Sequence, residues 1–149
     1  MNIGDKLPEV LGLNEKGEQV TRESLAGKKV VLYVYPKDNT SGCTAEACSL
    51  KDHYQELSDE GYIVIGVSKD SVKSHAGFRA KHSLPFTLLA DTETSLLQQL
   101  GAWGEKKLYG KTYMGALRKT YIFNPDGTLA RIIEKVDTKR AAQQILEEK

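Results

Sequence analysis

The stretch KVVLYVYPKDNTSGCTAEAC, residues 29–48, decides the fold. Its first part, Lys29 to Tyr35, is nearly continuous in apolar residues and rich in valine, which predicts a strand buried on both faces. Pro36 to Gly42 consists of turn-forming residues and is expected to be a loop. A helix is expected to begin at about Cys43, so this stretch predicts a strand, a loop and a helix in succession.

The same alternation continues toward the C-terminus. Ala47, Leu50, Tyr54 and Leu57 recur at helical spacing, and Gly61 stands where a C-terminal cap belongs, which predicts one helix over residues 43–60. The elements expected after it are a buried strand at Tyr62 to Val67, a helix capped by Asp70 or Ser71 that ends before Pro85, a strand at Phe86 to Ala90 and a short helix at Thr94 to Leu100.

The last third of the chain is expected to close the sheet. Lys119 to Phe123 and Thr128 to Ile133 flank the turn Asn124 to Gly127, which predicts a hairpin, and Thr138 is expected to cap a final helix. No helix or strand is predicted before residue 29 or within residues 101–117. The order of the elements predicts one domain, residues 1–149, of the α/β class with a mixed sheet and flanking helices.

The composition indicates a globular protein. Of the 149 residues, 40% are hydrophobic and 28% are charged, which suits one domain with a real core. The net charge of +1 predicts no electropositive face for a nucleic acid. Since no apolar run has the length of a signal-peptide core or a membrane span, we expect a cytoplasmic protein. In that reducing compartment the two cysteines are not expected to form a permanent bridge.

The two cysteines differ in position along the expected helix. Cys43 stands at the start of the helix, where unpaired backbone N–H groups stabilise a thiolate. Cys48 follows five residues later, so in a regular helix the two Cα atoms would be ~8.7 Å apart and point ~140° away from each other. A disulfide requires Cα atoms within about 7 Å of each other. The pair can therefore bond only if the first turns of the helix unwind.

Spacing alone leaves other interpretations open. Two cysteines on an amphipathic helix can both be inert core residues, because free cysteine is among the most buried residue types. A zinc site built from Cys43, Cys48 and His53 is less favoured, since these spacings match no common structural set and no fourth ligand is evident.

The loop and the helix start resemble the active site of peroxiredoxins, which are thiol peroxidases with the motif Pro-x-x-x-Thr-x-x-Cys. Pro36, Thr40 and Cys43 stand at the motif positions, and Cys48 resembles the second cysteine of the bacterioferritin comigratory protein subfamily. Further segments similar to that subfamily are residues 5–8, 66–68, 84–86, 103–106, 109–111 and 118–120. Ser41 departs from the pattern, because the family most often has proline there, and the change frees φ at one loop position.

The resemblance implies a thioredoxin-like fold and the reduction of hydrogen peroxide and organic hydroperoxides. By it, Cys43 is the peroxidatic cysteine that becomes a sulfenic acid, and Cys48 is the resolving cysteine that condenses with it to an intramolecular disulfide. It also implies recycling by thioredoxin or a similar dithiol reductant, no metal or organic cofactor, and a monomer.

Five further residues are expected to support this chemistry. The Thr40 hydroxyl can accept a hydrogen bond from the peroxide while it donates to sulfur, and Arg118 can contact both the thiolate and the developing oxyanion. Backbone N–H groups near Gly42 complete the cradle, and Pro36 shapes the pocket and excludes water. The Glu46 carboxylate either interacts favourably with the positive pole at the helix N-terminus or orients the Arg118 side chain.

Each assignment has an alternative that the sequence leaves open. Thr40 could serve only as a helix cap, and Arg118 could be a solvated charge at a strand edge. At the level of function, the alternatives are a general dithiol–disulfide oxidoreductase on the same fold and a redox sensor without catalysis. Turnover with peroxide and a reductant distinguishes the peroxidase from both.

Overall fold

The computed structural model describes residues 1–147 and has the predicted order of strand, loop and helix at residues 29–52. The strands are β1 (Val10–Asn14), β2 (Gln19–Thr21), β3 (Lys29–Val34), β4 (Tyr62–Ser68), β5 (Thr87–Ala90), β6 (Trp103–Leu108), β7 (Lys111–Ala116), β8 (Lys119–Phe123) and β9 (Leu129–Ile133). The α-helices are α1 (Ser41–Asp52), α2 (Tyr54–Asp59), α3 (Val72–His82), α4 (Ser95–Leu100) and α5 (Ala141–Glu147), and short 3-10 turns occupy Glu23–Leu25 and Thr138–Arg140.

The main sheet has the strand order β2-β1-β5-β4-β3-β8-β9. Strands β3, β4 and β5 run parallel to one another, whereas β1 and β8 pair antiparallel to their neighbours, so the predicted mixed sheet is confirmed. Strand β3 lies inside the sheet between β4 and β8, and each face of it belongs to a separate hydrophobic cluster. Val31 and Tyr33 point to one face, and Leu32 and Val34 point to the other. Burial on both faces explains why this segment has no polar alternation.

The helix predicted over residues 43–60 is wrong in two respects. It begins at Ser41, two residues early, and it breaks at His53 into α1 and α2. His53 has φ −108° and ψ 15°, outside the helical region, so the apolar spacing continues through two helices rather than one. Ser41 occupies the first helical position, where proline is favoured because its fixed φ suits a helix start.

The predicted caps had mixed outcomes. Ser71 caps α3, since its side chain accepts a hydrogen bond from the Ser74 backbone N–H. Thr138 does not cap the final helix; it lies inside a 3-10 turn that Asp137 caps by accepting from the Lys139 backbone N–H. The predicted cap is thus off by one residue: the Asp137 carboxylate accepts a hydrogen bond from a backbone N–H at the start of the turn.

Two hairpins were not predicted. Strands β1 and β2 join the edge of the main sheet, and β6 and β7 form a separate two-stranded sheet. Tyr109 and Gly110 connect β6 to β7, with φ of 52° and 76°. Positive φ at both central residues is typical of the tight turns whose twist suits a hairpin. The β8–β9 hairpin around Asn124 to Gly127 was predicted and is confirmed.

Candidate active site

Cys43 lies in the first turn of α1, directly after the loop that leaves β3. It is 1% exposed, and its Sγ lies 3.2 Å from Nη2 of Arg118, which donates a hydrogen bond to it. The sulfur is therefore buried within a hydrophobic cluster, but a cationic side chain is hydrogen-bonded to it.

Arg118 joins the sulfur to a buried carboxylate. The residue lies between β7 and β8, and its second terminal nitrogen, Nη1, donates to Oε1 of Glu46 at 2.5 Å. Gly42 lies beside this side chain, and a Cβ at position 42 would be in ordinary van der Waals contact with Nη2, at 3.4 Å. The guanidinium thus bridges Glu46 and Cys43 in one plane, which a point charge could not do.

Burial and the charge of Arg118 shift the pKa of Glu46 in opposite directions. Its side chain is fully buried, and burial raises its pKa to about 7, although the charge of Arg118 and the hydrogen bond from it oppose this shift. Burial lowers the pKa of Arg118, but Glu46 and Cys43 outweigh burial and hold it above its ordinary value. The guanidinium therefore stays charged, whereas the Glu46 carboxyl can change protonation state near neutral pH.

Lys106 is a neighbour of the site that the sequence did not single out. Its Nζ donates to the Ala116 carbonyl at 3.0 Å, two residues before Arg118. Burial, followed by the charge of Arg118, lowers the pKa of Lys106, and Cys43 opposes the shift. Gly115 lets the lysine stem pass, since a Cβ there would lie 2.9 Å from Cδ of Lys106. The β6–β7 hairpin thus brings a second cation toward the sulfur.

Thr40 is at the N-cap position of α1, but its side chain makes no capping hydrogen bond, so the capping alternative is wrong. Its hydroxyl donates instead to the Lys37 carbonyl at 3.0 Å. A hydroxyl has one hydrogen to donate, so the expected donation from Thr40 to the sulfur is absent from this arrangement. The oxygen lone pairs remain able to accept a hydrogen bond from a substrate.

Pro36 lies at the carboxyl end of β3 and lines a cavity of about 290 Å³. The other side chains around this cavity include Lys37, Lys69, Trp103 and Met114. Pro36 has no N–H to solvate, so it closes this side of the loop with apolar surface.

Cys48 is half-buried in the second turn of α1, and both cysteines are free thiols. Because both lie within one continuous helix, they are too far apart to bond without unwinding it. Among residues 1–147, the one cluster of metal-type ligand side chains is Asp38, Asp70 and His75, which includes neither cysteine. No helix in this range is both long and apolar enough to cross a membrane.

A thiol at a helix start that is hydrogen-bonded to a guanidinium and carried by this mixed sheet is the arrangement expected of a thiol peroxidase of the thioredoxin-like class. The AhpC/TSA family matches residues 3–132, and the chain belongs to that family. It is thus a peroxiredoxin, an enzyme that reduces peroxides with thiols.

The sequence similarity to relatives extends over most of the chain. The putative peroxiredoxin Bcp of Coxiella burnetii is 42% identical over 136 residues, which cover 91% of this chain and 90% of the relative. The peroxiredoxin Bcp of Bacillus subtilis is 40% identical over 99% of this chain and 94% of the relative. The resemblance to the bacterioferritin comigratory protein subfamily is therefore confirmed.

Solved structures support the fold. The bacterioferritin comigratory protein of Xanthomonas campestris, studied for its alkyl peroxide reduction activity, superposes with a TM-score of 0.86 at 32% identity. The alignment covers 97% of this chain and 96% of that chain. A cysteine mutant of the Xylella fastidiosa peroxiredoxin Q superposes with a TM-score of 0.90 at 29% identity, over 99% and 94% of the two chains. The predicted thioredoxin-like fold is confirmed.

Proposed function

We propose that Cys43 is the peroxidatic cysteine of this enzyme. Its thiolate attacks one oxygen of a hydroperoxide ROOH, the O–O bond breaks, and RO⁻ leaves and takes up a proton to become ROH. The sulfur is oxidised to a sulfenic acid. The observation that carries this proposal is the hydrogen bond of 3.2 Å from Arg118 to Sγ.

Arg118 is proposed to stabilise the charge that the leaving oxygen acquires. Its guanidinium borders the sulfur, and Glu46 fixes its orientation through Nη1. A donor that is already aimed at the position of developing charge lowers the barrier without a reorganisation cost. Backbone N–H groups around Gly42 and Cys43 add donors, and the Thr40 oxygen accepts the peroxide hydrogen.

Access to the sulfur requires a small local movement. Cys43 is 1% exposed, whereas the side chain of Arg118, which covers it, is 22% exposed. A shift of the Arg118 side chain opens a path for a peroxide. Pro36 then limits how much water follows.

Cys48 is proposed to resolve the sulfenic acid. Its thiolate attacks Sγ of Cys43, hydroxide leaves and is protonated to water, and a disulfide forms. The attack requires α1 to unwind at its first turns, since both cysteines lie in that helix. A thiol reductant then restores both cysteines, and we propose thioredoxin for this role.

The substrate range that we propose is hydrogen peroxide together with organic hydroperoxides. The alkyl peroxide reduction of the Xanthomonas campestris relative supports the second group. We further propose one domain over residues 1–149, no resident metal or organic cofactor, a monomer and a location in the cytoplasm, where dithiol reductants are available.

Stopped-flow kinetics with two serine variants test these roles. Cys43→Ser is expected to abolish peroxide consumption. Cys48→Ser is expected to consume one equivalent of peroxide and then fail to be recycled by thioredoxin. Each variant is the matched control for the other, because both remove one thiol from α1. Normal recycling of Cys48→Ser would contradict the resolving role, and peroxide turnover by Cys43→Ser would contradict the peroxidatic role.

A further inference from the structure

Asp38, in the loop between Pro36 and Thr40, is buried although it carries a charge. It is 4% exposed, and its Oδ1 accepts a hydrogen bond of 2.6 Å from the Tyr35 hydroxyl. Its Oδ2 accepts from the Ser74 hydroxyl at 2.8 Å and contacts His75 Nδ1 at 2.8 Å. Burial raises the pKa of Asp38, but the hydrogen bonds from His75 and Tyr35 outweigh burial and hold it below its ordinary value. Asp38 is therefore an anion in the folded protein.

The contacts of His75 fix its orientation. The imidazole is fully buried in α3, and its Nε2 lies 2.9 Å from the carbonyl oxygen of Leu89 in β5. A carbonyl oxygen only accepts, so Nε2 donates to it. The other ring nitrogen, Nδ1, lies 2.8 Å from Oδ2 of Asp38 and 3.3 Å from the Tyr35 hydroxyl. Asp38 and His75 thus form a buried hydrogen-bonded pair.

The same geometry argues against a metal in this cluster. A metal ligand must present a free nitrogen lone pair, and both His75 ring nitrogens already lie within hydrogen-bond distance of protein oxygens. Asp70 is also engaged, because its Oδ2 accepts from the Asp38 backbone N–H at 2.9 Å and from the Ser68 hydroxyl at 2.6 Å. The cluster is a closed network of protein hydrogen bonds.

This network anchors the middle of the loop that leads to Cys43. Asp38 binds α3 through its side chain and the residues after β4 through its backbone. The next residue, Asn39, has φ 64°, a left-handed conformation that the surrounding contacts must maintain. Ser41 supplies none of the stiffness of the proline that is usual in the family. The loop therefore depends on its anchor at Asp38 for a fixed path.

We propose that the buried hydrogen-bonded pair of Asp38 and His75 is a positioning device for peroxide reduction, holding the loop so that Cys43 Sγ stays beside Arg118. The inference rests on the proposed role of Cys43. Neither Asp38 nor His75 touches the sulfur in the structure, so both are positioning residues rather than catalytic ones. The pair lies outside α1, so the later unwinding of α1 does not require it to break.

The rate constants of Cys43 oxidation and of disulfide formation, measured in single turnovers, distinguish a positioning role from a general effect on stability. Asp38→Asn and His75→Gln are each expected to lower the rate constant of Cys43 oxidation by peroxide about 10- to 100-fold, the scale of a misplacement of about 1 Å. Disulfide formation from the sulfenic acid is expected to be as fast as in the wild type or faster, because a loosened loop eases the unwinding of α1. The oxidation rate constant of the double variant is expected to be no lower than that of either single variant, since both substitutions break the same interaction.

Tyr121→Phe is the matched control, because it also removes one buried hydrogen bond, from the Tyr121 hydroxyl to the Leu100 carbonyl at 2.8 Å, in the other hydrophobic cluster. It is expected to keep the wild-type oxidation rate. Should Asp38→Asn fail to fold, Ser74→Ala removes one donor to Asp38 and is expected to lower the oxidation rate less, in the same direction.

Three results would overturn the inference while leaving the peroxidatic role of Cys43 intact. They are wild-type oxidation rates in the Asp38 and His75 variants, an equal loss in Tyr121→Phe, and an equal slowing of both steps. If the wild type itself forms no sulfenic acid at Cys43, the proposed function fails instead.

Discussion

At the scale of single residues, Arg118 has the most specific task in the proposed site, because it binds two partners at once. Arg118→Lys keeps the charge but cannot reach Cys43 Sγ and Glu46 Oε1 together. We expect the rate constant for peroxide reduction to fall about 10- to 100-fold, somewhat less than the loss of a whole oxyanion donor. Stopped-flow measurement of Cys43 oxidation checks this.

The matched control for that substitution is Arg140→Lys, an exposed ion-pair residue in the C-terminal region. It is expected to react with peroxide at the wild-type rate. An Arg118→Lys variant as fast as Arg140→Lys would show that the forked geometry is not used.

Glu46 predicts a pH dependence of stability. The folded protein holds the Glu46 proton up to a pKa of about 7, above the ordinary value of 4.5. Between these values the folded state binds more protons than the unfolded state, so the contribution of Glu46 is fully present below pH 4.5 and is lost as the pH rises toward 7. In Glu46→Gln, the free energy of unfolding should fall less steeply over this interval.

Urea unfolding at several pH values measures that slope. Glu147→Gln at the exposed end of α5 corrects for the loss of one acidic side chain. Parallel curves for the wild type and Glu46→Gln would contradict the assignment of this titration to Glu46.

Some residues of the site could be predicted from the sequence, and others could not. Cys43, Thr40 and Pro36 lie in one local motif, so the sequence could single them out, and Arg118 followed from the family resemblance. The buried pair of Asp38 and His75 was missed, because the partners are 37 residues apart and no local pattern marks them. Only the return of the chain through β4 to α3 brings them together.

At the scale of elements, α1 must be both a stable helix and one that unwinds. Its buried face is held against the C-terminal helix, where Ser49 Oγ accepts from the Ala142 backbone N–H at 3.2 Å. Ser49→Ala leaves that buried N–H without its partner, which should cost about 1–3 kcal/mol of stability. It should also speed disulfide formation a few-fold, because α1 detaches more easily.

Rapid quenching after one equivalent of peroxide measures the rate of disulfide formation in this variant. Ser95→Ala is the matched control, because Ser95 begins α4, away from the cysteines, and its side chain is exposed to solvent. Equal rates for Ser49→Ala and the wild type would show that contact with α5 does not limit the unwinding of α1.

The break between α1 and α2 is an element that periodicity could not resolve. The apolar positions Leu50, Tyr54 and Leu57 follow one helical spacing through His53, so the pattern predicts a single helix. His53 instead bonds to Glu56 through Nδ1 and to Gln143 of α5 through Nε2. A tertiary contact thus decided a boundary that local sequence left open.

At the scale of the whole molecule, the order of the central elements could be predicted because β3, β4 and α3 carry strong and simple patterns. The β6–β7 hairpin could not, since neither strand alternates between polar and apolar residues, β7 is mostly exposed, and the two strands pair only with each other. The hairpin turns at Tyr109 and Gly110, and the hydrogen bond from Lys106 Nζ to the Ala116 carbonyl connects its two strands. These features belong to the three-dimensional arrangement around the site.

Oxidation should lower the stability of the whole molecule. Unwinding the start of α1 removes Ala47 and Leu50, both fully buried, from their cluster. A disulfide that closes so short a loop contributes less than the ~3 kcal/mol of a 15-residue loop. We expect the oxidised protein to melt at a lower temperature than the reduced protein in calorimetry. A higher melting temperature after oxidation would indicate that α1 stays packed.

The central claim is that Cys43 and Cys48 form the redox pair, and intact mass spectrometry tests it most directly. The reduced protein is treated with one equivalent of peroxide, and the product is weighed whole and after digestion. The account predicts a loss of two hydrogens, located on one cross-linked peptide that contains Cys43 and Cys48. An unchanged mass, or a stable gain of oxygen at Cys43 with Cys48 still free, would contradict it.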